Sequence, residues 1–211
     1  LQAIAEYSAS KNSSNINMKH LLYDKSMLDR NLKIVAIGDG DGLSAVLKSL
    51  KIFSNNITAI VSVLGKENNR DLSNNISVNG IKKAMIALSN SEEETRDFLN
   101  YRNMDTELFG KNAGNLVIQS LMNLHNQNLS EAINHMSKVF NIKGKIIPAT
   151  LSQVDVGAIL NDGTRVVGRE ELVHKISERK SPIEKLFLNP ERCEPAPDVI
   201  RSIKEADAII I

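Results

Sequence analysis

The chain has 211 residues, 42% of them hydrophobic, which is enough for the core of one large α/β domain with a small appendage. Its 26 basic and 25 acidic residues nearly cancel, so the sequence shows no positively charged footprint for nucleic acid. A single cysteine cannot form an internal disulfide, the four histidines lack the spacing of zinc ligands, and no apolar run has membrane-spanning length.

The first 30 residues are predicted to be an N-terminal extension, with short helices on either side of an Asn- and Ser-rich middle. No signal peptide is visible, and the lone Cys193 fits a reducing compartment. The chain begins at Leu1 rather than Met and ends on an apolar run. We therefore expect a fragment that is truncated at the C-terminus.

The most informative stretch begins with a short apolar run, Leu32–Ile37, which predicts a fully buried strand. Gly38, Gly40 and Gly42 follow as a tight loop, and Leu43–Leu50 carries apolar residues at helical spacing. Strand, glycine loop and helix form the opening unit of a doubly wound nucleotide-binding sheet. The helix N-terminus and the glycine backbone suit a phosphate group.

Two carboxylates in that loop, Asp39 and Asp41, conflict with phosphate binding because they would repel an anion. One interpretation is that Asp41 caps the helix from within and leaves a stable loop that binds ligand poorly. In the alternative, Asp39 and Asp41 recruit a metal ion that bridges to phosphate.

A second buried strand is predicted over Ile57–Val63, which is rich in β-branched residues. The polar segment Leu64–Gly80 follows its carboxyl end, where open α/β sheets bind ligands. A dehydrogenase would need an acidic residue at the end of this strand to hold a ribose, and none stands there. No Gly-Lys-Ser/Thr follows the first glycines, which excludes a Walker-type loop in that stretch.

A second glycine–asparagine loop, Gly110–Asn115, opens an apolar helix, and an Asn in such a place either caps the helix or binds a ligand. Helices are also predicted over Ile81–Leu88 and Leu129–Phe140, and Ser91 with Glu94 predicts a capping box.

The last third of the chain is predicted to hold strands and a hairpin. Lys143–Thr150 reads as a strand, and Asp162-Gly163 between two apolar runs indicates a hairpin, in an insertion of about 150–185. A further strand over Ile183–Leu188 and a final buried strand over Ala208–Ile211 follow. The fold class is therefore α/β, a Rossmann-like, doubly wound, mostly parallel sheet over 31–211 with a small antiparallel hairpin subdomain.

Several motifs resemble the YvcK family of gluconeogenesis factors, which is related to 2-phospho-L-lactate transferase. The motifs are K-I-V-A-I-G, I-T-A-I-V-S-V, G-K-I-I-P-A-T, K-L-F-L-N-P and the closing I-K-E-A-D-A-I-I-I. The resemblance implies a Rossmann-like fold that binds a UDP-sugar in the bacterial cytoplasm and supports gluconeogenic growth and cell-shape maintenance. It also implies that the transferase relatives use a divalent metal to move a phospholactyl group.

By this resemblance, the first glycine loop lies at the nucleotide and the second loop forms another wall of the site. The residues that it places there are Gly38, Gly40, Gly42, Leu43 and Ser44 in the first loop and Gly110, Gly114 and Asn115 in the second. Asp39, Asp41 and Asn112 lie within the same loops and complete the predicted site.

Three departures from the family pattern count against a metal-dependent transfer reaction. Asp39 and Asp41 interrupt a loop that is usually G-G-G-T-G, the aspartates that usually follow the second strand are missing, and the Pro-Pro-Gly-Asp turn is replaced by S-V-N-G. The missing carboxylates are the obvious ligands for a divalent metal, so no metal-binding residue is predicted.

The leading hypothesis is a non-enzymatic YvcK-like factor with a diverged, UDP-sugar-binding or ligand-incompetent site. The alternatives are a metal-dependent transferase of phosphorus-containing groups and a scaffold that docks partner proteins. Magnesium as a cofactor and a homo-oligomer as the assembly are left open.

Overall fold

A computed structural model describes residues 32–64, 77–104, 110–179 and 181–211. The predicted N-terminal extension and most of the polar segment after the second strand lie outside these residues. The elements are seven strands and seven helices within the described ranges: β1 (Ile34–Gly38), α1 (Gly40–Phe53), β2 (Ile57–Val61), α2 (Asn79–Leu88), α3 (Glu92–Asn100), α4 (Ala113–Leu124), α5 (Leu129–Val139), β3 (Lys145–Pro148), β4 (Asp155–Leu160), β5 (Arg165–Val167), α6 (Arg169–Arg179), β6 (Ile183–Asn189), α7 (Val199–Lys204) and β7 (Ala208–Ile210).

Four strands form a parallel sheet in the order β3-β2-β1-β7. The register places Val35 opposite both Thr58 on β2 and Ile209 on β7. The chain therefore builds outward from β1 to β3 and then returns to the other side of β1. This reversal confirms the predicted doubly wound, mostly parallel sheet.

Successive strand residues alternate between the two faces of the sheet, and the faces are covered unequally. One face packs against α1, α2, α4 and α5, with Ala36, Ala59 and Ile146 pointing into the main core. The opposite face buries Val35, Ile60 and Ile147 under the short segment that contains α7. Most of the apolar core therefore lies on the helix-rich face.

The segment over the second face is held at both ends by ion pairs. Asp198, at a positive φ of 74° just before α7, accepts from Lys145 Nζ on β3 at 2.6 Å. Lys33, just before β1, donates from Nζ to Glu205 at 3.1 Å and from its backbone N–H to Asp207 at 2.8 Å. These contacts fix α7 across the strands that it covers.

The final strand was predicted to be buried, and this prediction is wrong. In β7, Ala208 is exposed and Ile209 keeps 46% of its surface accessible, because the strand lies at an edge of the sheet. Its sequence pattern is that of a central strand, and burial depends on neighbours that a strand pattern does not specify.

At the opposite edge, β3 ends on proline. Ala149 N–H donates to Val61 on β2 at 2.8 Å, and alternate residues of a parallel strand turn their backbone groups to the same neighbour. Lys145 and Ile147 therefore also face β2, whereas Ile146 and Pro148 turn their backbone groups outward. A proline has no N–H to leave unpaired, so this position suits it.

The second sheet is antiparallel, in the order β5-β4-β6, with α6 packed on it. The predicted Asp162-Gly163 hairpin is confirmed, since Gly163 has φ 80° and Asp162 Oδ1 accepts from Thr164 N at 2.9 Å. Gly157 on β4 leaves room for the ring of Phe187 on β6, at 2.3 Å from where a Cβ would stand. The predicted strand near Ile183 belongs to this sheet.

The predicted capping box is not formed. Ser91 precedes α3, but its side chain makes no capping hydrogen bond, and its N–H donates to Ser89 Oγ at 3.1 Å. Ser89 is fully buried and also contacts Thr95 Oγ1 at 2.8 Å. The side chain of Ser89, rather than that of Ser91, therefore makes the hydrogen bonds at the start of α3. Within the described ranges, no helix combines the length and apolarity needed to cross a membrane.

Candidate functional site

The first glycine loop connects β1 to α1 at the carboxyl edge of the parallel sheet. Asp39 is extended and is the N-cap of α1, where its Oδ1 accepts from Gly40 N at 2.7 Å. Gly40 has a φ of 61°, a conformation that a side chain disfavours. The prediction that Asp41 caps this helix is wrong, because Asp39 takes that place one residue before the helix begins.

Asp41 instead points outward in the first turn of α1. Its carboxylate lies 2.9 Å from Lys83 Nζ on α2, with side-chain exposures of 91% for Asp41 and 42% for Lys83. An ion pair this open to water contributes little to stability. It does neutralise part of the negative charge at the loop.

The other predicted residues of this loop differ in their access to a ligand. Gly42 is exposed and Ser44 is half-buried, whereas Leu43 is 6% exposed and packs in the main core. Gly38 ends β1 and lies against Leu43, whose Cβ would be 3.4 Å from an added methyl group. Leu43 therefore offers a ligand only its backbone.

Gly80 in the first turn of α2 is a residue that sequence reasoning missed. A Cβ at Gly80 would lie 2.1 Å from Asp39 Oδ1 and 2.8 Å from Val61 Cγ1. The carboxylate of Asp39 thus occupies the space that a side chain on α2 would need. The local pattern carried no signal for this contact, because Gly80 ended the polar segment before the predicted helix Ile81–Leu88.

The second loop leads into α4. Gly110 has a φ of 76°, and its N–H donates to Asn103 O at 2.8 Å. Asn112 is the N-cap of α4, and its Oδ1 accepts from Asn115 N at 3.0 Å. Gly114 packs closely, with Leu99 O only 2.6 Å from the position of a Cβ. Asn112 therefore performs one of the two roles considered for it, the capping of α4.

A lysine on α2, Lys82, joins this second wall and was also missed from the sequence. Lys82 is 4% exposed, and its Nζ donates to Asn115 Oδ1 at 2.7 Å and to Asn112 Oδ1 at 3.2 Å. Asn112 is 4% exposed and Asn115 is fully buried. We call Lys82, Asn112 and Asn115 the lysine–asparagine cluster.

Helix α2 is the element that brings the two predicted walls together. Its Gly80 and Lys83 contact Asp39 and Asp41 of the first loop, while its Lys82 contacts the asparagine wall. The three residues lie within one turn of the helix and face different neighbours. The predicted site residues therefore flank a common helix.

The structure also bears on metal binding. Among the described residues, no group of three or more histidine, cysteine, aspartate or glutamate side chains converges in a way that could hold a metal ion. Asp39 accepts from Gly40 N, and Asp41 is paired with Lys83.

Comparison with known proteins identifies the family. Residues 34–211 match the family model described as 2-phospho-L-lactate transferase CofD. The chain is 36% identical over 196 residues to the putative gluconeogenesis factor of Clostridium acetobutylicum, which covers 91% of the chain and 43% of that relative. It is 37% identical over 185 residues to the gluconeogenesis factor of Bacillus subtilis, covering 85% of the chain and 56% of that relative.

Solved structures agree with the architecture. A member of the UPF0052 family from Bacillus halodurans matches with a TM-score of 0.72 at 28% identity, covering 86% of this chain and 58% of that one. The chain spans about half the length of the curated relatives it matches. It therefore belongs to the CofD family and is similar, within that family, to the gluconeogenesis factors named YvcK.

Proposed function

We propose that the chain binds a UDP-sugar and acts as a YvcK-like factor in the cytoplasm, where it supports gluconeogenic growth and cell-shape maintenance. Its similarity to proteins named gluconeogenesis factors supports the physiological part of the proposal. The proposed role is ligand binding without group transfer.

The observation that carries the binding proposal is the position of the loop from Gly38 to Ser44. The loop lies at the carboxyl end of β1, between β2 on one side and β7 on the other, where the order of the strands reverses. The crevice outside such a reversal is where open α/β sheets bind nucleotides. The half-buried and exposed residues of this loop supply backbone hydrogen-bonding groups to that crevice.

A metal-dependent phospho-group transferase is the second candidate, and the description of the matching family model favours it. That chemistry needs carboxylates that can ligate a divalent cation such as Mg²⁺. Asp41 is instead paired with Lys83, and Asp39 caps α1. The residues around the loop therefore fit ligand binding better than metal-assisted transfer.

Thermal denaturation with and without UDP-glucose, each in the presence and absence of magnesium, tests the proposal. A ligand at a hundred times its dissociation constant adds about 2.7 kcal/mol to the free energy of unfolding. We expect UDP-glucose to raise the midpoint without magnesium. A rise that requires magnesium would favour the transferase, and no rise at millimolar UDP-glucose would contradict binding.

A further inference from the structure

The side-chain amide of Asn115 has only one orientation that its surroundings allow. Lys82 Nζ lies 2.7 Å from Asn115 Oδ1, and an ammonium group carries donors only. The oxygen must therefore face Lys82, and the amide nitrogen must point away from it. The orientation follows from the contact rather than from an arbitrary choice between oxygen and nitrogen.

That nitrogen lacks an acceptor. Asn115 is fully buried, and its Nδ2 has no hydrogen-bond partner within the part of the chain that the structure describes. Buried donors in native proteins are nearly always paired with protein, water or ligand, because an unpaired donor loses its hydration without compensation. Asn115 Nδ2 is therefore a buried donor that can bind an oxygen atom of a ligand.

The electrostatic setting of Asn115 favours an anionic oxygen. Asn115 lies in the first turn of the 12-residue helix α4, whose N-terminal end carries partial positive charge. Lys82 places an ammonium group against the same side chain. Amide donor, ammonium and helix end thus combine at one place.

The first glycine loop has the opposite character. Asp39 caps α1 and Asp41 lies in its first turn, so two carboxylates stand at the helix end that a phosphate would otherwise occupy. Carboxylates stabilise that helix end themselves and repel a second anion. The two walls therefore differ in which part of a ligand they can accept.

We infer that the lysine–asparagine cluster is an oxyanion site, in which Asn115 Nδ2, supported by Lys82, donates to a phosphate oxygen. In a UDP-sugar this group is the diphosphate, an assignment that rests on the proposed function. The uncharged part of the ligand then lies nearer the first glycine loop. Because Asn115 is fully buried, the anion enters only when the side chains that cover the cluster move aside.

The sharpest test replaces the donor without changing the size of the side chain. In Asn115→Asp one carboxylate oxygen can still accept from Lys82, while the other replaces Nδ2 with an atom that repels an anion. We expect the affinities for inorganic pyrophosphate and UDP-glucose, measured by titration calorimetry, to fall at least about tenfold. The thermal midpoint of the free protein should stay the same or rise, because Lys82 gains an ion pair. A purely structural role for Asn115 would not separate these two readouts.

The neighbouring lysines of α2 provide a matched control. Lys82→Met removes the cation from the cluster, whereas Lys83→Met removes the cation beside Asp41. We expect at least about tenfold weaker pyrophosphate binding in the first variant and a change within about twofold in the second. Urea unfolding of each variant shows whether it is folded, and Asn115→Asp carries the test if Lys82→Met is not.

The outcomes separate this inference from the proposed function. Asn115→Asp that binds pyrophosphate as tightly as the unmodified chain overturns the oxyanion site, and so does Lys83→Met that weakens binding more than Lys82→Met. An unmodified chain that binds pyrophosphate but not UDP-glucose keeps the oxyanion site and contradicts the UDP-sugar. An unmodified chain that binds neither contradicts both.

Discussion

The absence of a side chain at Gly80 lets the first glycine loop lie against α2. The backbone of Gly80 lies so close to the first glycine loop and to β2 that the Asp39 carboxylate and the Val61 side chain fill the space of a Cβ. Gly42, in the first turn of α1, has no atom within 4 Å of the corresponding position. Gly80 and Gly42 therefore have similar positions in their helices, but close packing excludes a side chain only at Gly80.

Gly80→Ala is expected to destabilise the chain by about 1–3 kcal/mol, because the added methyl group must push Asp39 and Val61 aside. Gly42→Ala is the matched control, and we expect it to stabilise by about 0.5–1 kcal/mol through the higher helix propensity of alanine. Urea unfolding measures both changes. An equal effect of the two substitutions would show that the close approach at Gly80 is not a packing constraint.

The sequence could predict the glycine loop but not the lysine–asparagine cluster. Alternation of glycine with Asp39 and Asp41 marks a loop in any context, whereas Lys82-Lys83 reads as a pair of solvated charges. Only the contacts of Lys82 with Asn112 and Asn115 show that Lys82 is buried, whereas Lys83 is partly exposed. The apolar run that follows them in α2 was the available hint, since a helix that is apolar on nearly every side is itself buried.

At the scale of elements, a cluster of charges holds α3 against α1. The Glu92 carboxylate accepts from Lys48 Nζ at 2.5 Å, lies 3.6 Å from Lys51 Nζ, and also contacts Arg96 within α3. The hydrogen bond from Lys48, with further attraction from the three cations, lowers the pKa of Glu92 from its ordinary value of 4.5. Glu92 is therefore more stable as a carboxylate in the folded chain than in the unfolded chain.

This shift gives stability a defined dependence on pH. Because the folded pKa is the lower one, the stabilisation is complete above the unfolded value of 4.5 and is lost as the pH falls through the folded value. Glu92→Gln should cost about 1 kcal/mol at pH 7, and the difference from the unmodified chain should shrink in acid. Urea unfolding at pH 7 and pH 3 measures it, with exposed Glu93→Gln as the control. A cost that stays constant with pH would contradict an ionic origin.

At the scale of the whole molecule, local patterns predicted the elements but not their partners. The strand–loop–helix opening, the helices and the Asp-Gly hairpin each follow from spacing and turn chemistry within a few residues. The exposure of β7 and the pairing of β6 with β4 depend on contacts between distant parts of the chain. No local pattern contains that information.

The unequal covering of the two sheet faces has a measurable consequence. Ile60 and Ile209 lie on the same face, but Ile60 is 2% exposed under the α7 segment and Ile209 is 46% exposed. Ile60→Ala should lower the free energy of unfolding by about 2–5 kcal/mol. Ile209→Ala should lower it by less than about 1.5 kcal/mol, because the Ile209 side chain has little buried apolar surface to lose. Urea unfolding compares the two. A similar cost would mean that β7 is covered in solution, most simply by a second copy of the chain.

Pro148, at the outward edge of β3, affects whether the sheet can pair with strands of other molecules at high protein concentration. An unpaired strand edge can capture an extended segment from another molecule and begin a growing polymer. Such capture needs a regular series of donors and acceptors, and this edge presents the N–H of Ile146 but none at Pro148. The ring therefore ends the hydrogen-bonded series after one residue. Ile146 and Pro148 are also buried, so the proline adds to a covering that already limits strand-to-strand aggregation at this edge.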